Sequence, residues 1–154
     1  MEENAELVEL IKEILRDSRE LILATSENNI PWAAVLVFGH DENFNLYWIS
    51  DKDTKHSLQL ETNPKVAATV TKESTGNGQD KGLQIEGEAR VLRDEEILSA
   101  AREYFAKRGS PKLPKTLEEA NTLAEGRSWY VLKPVKFYVI YGPLFGYDRK
   151  EYTP

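Results

Sequence analysis

The sequence predicts an α+β, mainly β fold: a six-stranded antiparallel barrel, closed or nearly closed, with flanking helices. Three observations predict it. Segments rich in β-branched and aromatic residues alternate with short polar turns, as in an antiparallel meander. Stretches with helical spacing fall at the start of the chain, after the third strand and after the fifth. The chain has 154 residues, 40% hydrophobic and 30% charged, enough for one buried core and one domain spanning 1–154.

The elements follow in order. Leu7, Leu10, Ile11, Ile14 and Leu15 repeat at helical spacing between Glu, Lys and Arg, so residues 5–16 form an amphipathic helix with one buried stripe. "LILAT" (21–25) is the first strand, and "SENN" carries hairpin-turn chemistry. "WAAVLVFGH" (32–40) is the second strand; its continuous apolar run predicts burial on both faces, with His40 in an exposed turn. "LYWIS" (46–50) is the third, with Trp48 expected in the core. A short helix occupies about 54–62, capped by Asp53 or Thr54 and stopped at Asn63-Pro64. "KVAATVT" is the fourth strand, and the Gly-rich "ESTGNGQDKG" (73–82) a flexible turn. "LQIEGEARVL" alternates as a half-buried strand, with a bulge or kink at Gly87. Asp94 caps the next helix, which Gly109 ends. "TLEEANTLAEG" is a weaker helix, and "RSWYVLKPVKFYVIYG" returns to strand, interrupted at Pro134. The barrel spans about 20–142, and the tail 143–154 is aromatic.

Composition excludes several functions. There is no cysteine, so there is no disulfide, thiolate metal site or Cys nucleophile; this fits a cytoplasmic protein. Net charge is −6 and the pI about 5.1, which argues against nucleic acid as a partner. No apolar run reaches membrane-spanning length, and the acidic N-terminus is not a signal peptide. With two His and no Cys, no metal-ligand spacing exists. Paired carboxylates such as Glu95-Glu96 and Glu118-Glu119 sit in first helical turns, where they complement the dipole.

The segment that carries chemistry runs from Ser50 to His56. Ser50 ends a strand, Thr54 opens a helix, Lys55 adds a positive charge, and His56 adds a second ring donor. A helix N-terminus contributes unpaired N–H groups and a favourable dipole. Together these fit an anionic group, a phosphate above all. An ordinarily capped, solvated helix start remains open beside that reading.

The order "LATSENNIPWAAVLVF", "LYWIS", "KHSLQLETNPKVAATV", "GLQIEGEARVL" and a following helix resembles the pyridoxamine-5′-phosphate-oxidase-like family of FMN-binding split β-barrels. The likeness is strongest over residues 18–95. It implies that Lys55, His56 and Ser50 hold the FMN phosphate, with Thr54 as a fourth ligand. It also implies contacts to the flavin ring from Trp32 or from the backbone of Ala33, Ala34 and Val35, whose small side chains permit close approach; core packing is the other reading of the two alanines. Gln84 is a candidate for the flavin carbonyl or ribityl chain, or a solvent-facing residue. The resemblance further implies a homodimer with cofactor sites at the interface, a small-molecule substrate, and FMN-dependent oxidoreductase chemistry carried by the cofactor. The aromatic tail either reaches the partner's site or closes the barrel. The oxidases that make pyridoxal phosphate carry a C-terminal Arg/His cluster; this chain has no His after His56, so that particular activity is not expected. Binding of the deazaflavin F420 or of haem in the same cleft, or a non-redox, stress-related binding module, are the alternatives.

Overall fold

Residues 1–72 and 78–154 of the computed structural model are described; the first half of the Gly-rich stretch read as a flexible turn, 73–77, lies outside them. The chain runs α1 (Glu2–Asp17), β1 (Glu20–Glu27), β2 (Ile30–Val37), β3 (Gly39–His40), β4 (Leu46–Ser50), α2 (Lys55–Thr62) and β5 (Lys65–Lys72). It continues with β6 (Lys81–Val91), α3 (Asp94–Lys107), α4 (Leu117–Leu123), β7 (Ser128–Tyr141), α5 (Gly142–Phe145) and β8 (Lys150–Tyr152). All strands join one antiparallel sheet in the order β2-β1-β5-β6-β7-β4-β3, with β8 on β7.

The two end strands of that path are one stretch of chain. Only Phe38 separates Val37 of β2 from Gly39 of β3. The sheet therefore wraps back on itself, but among the described residues no ladder joins β2 to β3. This is the split barrel with flanking helices, in the α+β class. Among the described residues it has eight strands rather than six because the second strand breaks at Phe38 and the tail adds β8.

Alternation decides what fills the barrel. Leu21, Leu23, Val70, Leu83, Ile85, Phe137 and Val139 point inward, and α1 buries Leu7, Leu10, Ile11, Ile14 and Leu15 in the same cluster. A second cluster forms where Ile97, Ala100 and Ala101 of α3 pack with Ala120 and Ala124 against Trp129 and Val131 of β7. Gly39 permits that packing: a Cβ there would stand 2.5 Å from Tyr104 Cα.

Several expectations change. β2 is not buried on both faces; Ile30, Trp32 and Val35 are 55%, 42% and 64% exposed. It is the end strand of the path: Val35 lies open on its outer face, and Ile30 and Trp32 stay partly open on the other face, toward the turn and beside α2. Ala33 is exposed and so is not a core alanine, whereas Ala34 is half-buried and packs against the core. His40 is half-buried in β3, with its ring centroid 6.4 Å from that of Phe38, rather than in an exposed turn. Arg93, not Asp94, is the N-cap of α3, with Glu96 reaching back to the Arg93 N–H at 2.9 Å. β7 runs through Pro134 without interruption. The register to β6 slips between Glu86 and Gly87, so the strand absorbs its proline as a bulge. A Cβ on Gly87 would meet Leu132 Cδ2 and Lys133 O at 2.7 Å, which is why glycine sits there.

Candidate functional site

The site is built at the end of β4. Ser50 is the last residue of that strand and is 6% exposed. The chain turns through 51–53, and Thr54 caps α2 by accepting the Ser57 N–H at 3.4 Å. Thr54 Oγ1 also lies 3.0 Å from Asp51 O and 2.7 Å from Ser57 Oγ. The amides of Lys55 and His56, in the first turn, have no acceptor among the described residues. They are the orphan donors of a helix start.

His56 points inward and is 7% exposed. Its Nε2 stands 2.8 Å from Ser50 Oγ and 3.3 Å from Thr54 Oγ1. Burial pushes its pKa below the ordinary imidazole range, so the neutral ring is favoured. In the neutral ring Nε2 accepts the Ser50 hydroxyl proton when the ring proton sits on Nδ1, and donates to Ser50 Oγ when it sits on Nε2. Lys55 points the other way, to solvent, with Nζ 4.4 Å from the centroid of the Trp32 ring. It has no carboxylate partner among the described residues. Ser50, Thr54, Lys55, His56 and Trp32 thus come together at one mouth of the barrel.

The remaining candidates divide between the faces of β2. Ala34 shares the side of Trp32 and packs partly against the core. Ala33 and Val35 face the opposite, outer side. There Val35 pairs with Ile22, Ile22 with Thr69, and Thr69 with Gln84, a row across four strands. Ala33, Ala24, Ala67 and Glu86 make the next row. Gln84 lies at the far end of its row from β2, where its Oε1 accepts from Arg149 Nε at 3.1 Å. Trp48 is fully buried and stacks on Tyr130 at 5.7 Å, a core residue. The tail closes on its own barrel, Tyr152 packing against Phe44 and Phe137, while Tyr147 is fully exposed.

Two features escape the sequence reading. Gln59 is 3% exposed and bonds both strands of the β1–β2 hairpin, a role no pattern marks. The second is a cleft of about 430 Å³ lined by Arg16, Arg19, Lys107 and Arg108 beside Val37 and Phe38, with Asp17 paired to Arg16 at 3.0 Å in its wall. Burial and then the charge of Arg108 push Lys107 down to about 8. Its ammonium bonds Leu15 O and Arg16 O at 2.5 and 3.0 Å. A neighbouring cleft shares Asp17 and Arg19, adds Glu20, and opens onto Ile22, Val35 and Thr69. Arg19 and Arg108 are 89 positions apart, so only folding gathers these cations. Among the described residues no three His, Asp or Glu side chains gather to hold a metal, and no helix is long and apolar enough to cross a membrane.

A wrapped antiparallel sheet, open between β2 and β3, with a cation-bearing helix mouth after β4, defines a split-barrel protein. The sequence model of the pyridoxamine 5′-phosphate oxidase family matches residues 7–141, and the chain belongs to that family. A UPF0306 protein of Yersinia pestis bv. Antiqua (strain Angola) is 32% identical over 102 residues, 66% of this chain and 69% of that protein. The structure of a heme binding protein from Mycobacterium smegmatis superposes with a TM-score of 0.72 at 14% identity, covering 95% of this chain and 57% of that one. A FAD-binding protein from Mesorhizobium loti superposes with a TM-score of 0.60 at 19% identity, covering 80% and 86%. At these identities the structural likeness is one of fold.

Proposed function

We propose that the protein binds FMN and performs flavin-dependent redox chemistry on a small molecule. The observation that carries the reading is the mouth of α2. Two orphan amides, the Thr54 cap and an ammonium without a carboxylate partner converge there, in a chain of net charge −6. That donor set fits a phosphate monoester: the amides bind its oxygens, and Lys55 swings from the Trp32 face to pair with its charge. Ser50 and His56 form a hydrogen-bonded pair behind it and reach the phosphate through the Ser50 hydroxyl once the ring donates instead of accepts.

From Trp32 to Val37, β2 runs roughly 17 Å at about 3.4 Å per residue, pairing only with β1. A ribityl chain and a flat ring laid along it would meet unpaired backbone groups on its free edge. They would also meet small or apolar side chains, Ala33 and Val35 among them. FMN, when bound, supplies the transfer of a hydride or single electrons. The protein holds the phosphate, orients the ring against β2 and excludes water with apolar side chains. The cation-lined cleft at Arg19 and Arg108 adjoins the far end of β2 and suits a substrate bearing a negative charge.

The outer face of β1, β2 and β5 leaves Ile22 and Val35 47% and 64% exposed among small residues. A second copy of the chain pairing there would complete the site as a homodimer, in the cytoplasm that a cysteine-free chain suits. Haem is the weaker reading, because of the two imidazoles that could serve as an axial ligand His56 is buried against Ser50 and His40 is half-buried in β3. The test is an absorbance spectrum of the purified protein, followed by titration with FMN. Flavin bands and saturable binding support the reading. A Soret band, or no FMN binding, overturns it.

A further inference from the structure

Gln59 lies one helical turn beyond Lys55 on α2, on the side of the helix that meets the hairpin, and where Lys55 is exposed Gln59 is 3% exposed. A buried primary amide is costly unless its groups are satisfied. Its partners are specific. Thr25 Oγ1 donates to Gln59 Oε1 at 2.6 Å, and Gln59 Nε2 donates to Ile30 O at 3.3 Å. Thr25 belongs to β1 and Ile30 opens β2, so one side chain bridges the helix to both strands of the hairpin.

The bridge bears on the site because Thr25 is the cross-strand partner of Trp32. The Trp32 ring is in turn what the Lys55 ammonium rests on at 4.4 Å. Lys55 and Gln59 share α2; Trp32 and Thr25 share a register pair. The four residues close a loop: helix to hairpin by a buried hydrogen bond on one side, hairpin to helix by a cation–π contact on the other. Asn63 adds a third tie, with Nδ2 donating to Ser26 O at 3.2 Å, and Thr62 Oγ1 donates to Glu27 Oε1 at 3.1 Å. Those ties lie at the exposed end of the helix and hold the turn. Of these ties the Thr25–Gln59 bond is the buried one, and the Gln59–Ile30 bond beside it reaches β2 itself.

We infer that Gln59 is a positioning residue: through Thr25 and Ile30 it holds the first turn of α2 against the β1–β2 hairpin and so sets Lys55 relative to Trp32. This rests on the α2 mouth being the phosphate site and adds to it the group that sets its width. Gln59 touches no ligand in this arrangement and acts through Lys55.

Gln59→Leu removes both bonds at similar volume. The Thr25 hydroxyl is then left buried without its partner, so the paired variant Thr25→Val/Gln59→Leu is measured beside it; replacing both partners by apolar groups of similar shape is nearly neutral for folding. The expected result is FMN binding weakened about tenfold in the paired variant, the scale of one lost buried hydrogen bond. Melting without ligand should stay near that of the parent. The effect should vanish in a Lys55→Ala background, because a residue that acts through Lys55 has nothing left to place. A weakening of equal size in that background, or unchanged affinity, overturns the assignment. A second readout needs no flavin. The emission of Trp32, isolated as the parent spectrum minus that of Trp32→Phe, should shift in the paired variant toward that of Lys55→Ala. An unmoved spectrum refutes the positioning role even where the parent binds no FMN, and absence of FMN binding to the parent tells against the cofactor alone.

Discussion

Lys55→Ala is the perturbation that most directly probes the site. In the free protein its ammonium makes one contact, 4.4 Å above Trp32, and no salt bridge among the described residues. An exposed cation–π contact is worth about 0.5–1 kcal/mol, so the variant should unfold within about 1 kcal/mol of the parent. With a phosphate at the mouth of α2 the same ammonium makes a charge-assisted hydrogen bond, worth roughly 1.5–3 kcal/mol. At about 1.4 kcal/mol per decade, affinity should fall ten- to a hundredfold. Fluorescence titration of FMN against the apoprotein measures this directly, with urea unfolding as the control. Because Lys55 is exposed, the gap between parent and variant should narrow as salt is raised. Equal FMN affinity in the two proteins, or a gap indifferent to salt, would show that Lys55 does not grip the phosphate.

Other perturbations test the frame around that site. Burial lowers the pKa of both His56 and His40, so as pH falls the unfolded chain takes up protons first. Their stabilising effect is whole above about 6.5 and is lost as pH drops toward the depressed folded values. His56→Asn should therefore lose less stability than the parent between about pH 7.5 and 5, read by urea midpoints; identical slopes would contradict a buried neutral ring. Val35→Glu, on the open face of β2, should leave the monomer folded but convert a dimer to monomers in sedimentation, whereas a parent that is already monomeric removes the dimer from the proposal. Gly39→Ala drives a methyl into the Tyr104 backbone and should cost about 1–3 kcal/mol. An unchanged urea midpoint would mean that α3 does not press on β3 as described.

Much of this protein was legible in its pattern. The stripe Leu7–Leu15 wrote a helix, the alternation in "LQIEGEARVL" wrote a strand, and Gly87 marked a bulge, because these signals are local and have fixed periods. The chain-local cluster Ser50, Thr54, Lys55 and His56 was legible too, since six residues of loop and cap bring it together. What failed had a common cause. An apolar run such as "WAAVLVF" reads as doubly buried, and whether a strand lies inside a sheet or at its end is not written in the strand. Likewise, nothing at Gln59 or at Arg19 and Arg108 announces their neighbours, which come from 29 to 89 positions away.

The sequence by itself thus determined the elements, the helix mouth and its charge, because backbone propensity and capping act over a few residues. Tertiary structure alone decided that His56 turns inward to Ser50 while Lys55 turns outward to Trp32. It also decided that β2 ends the sheet with its apolar face open, and that distant cations share a cleft. Those outcomes depend on which strand pairs with which, and pairing across the barrel is a property of the whole chain.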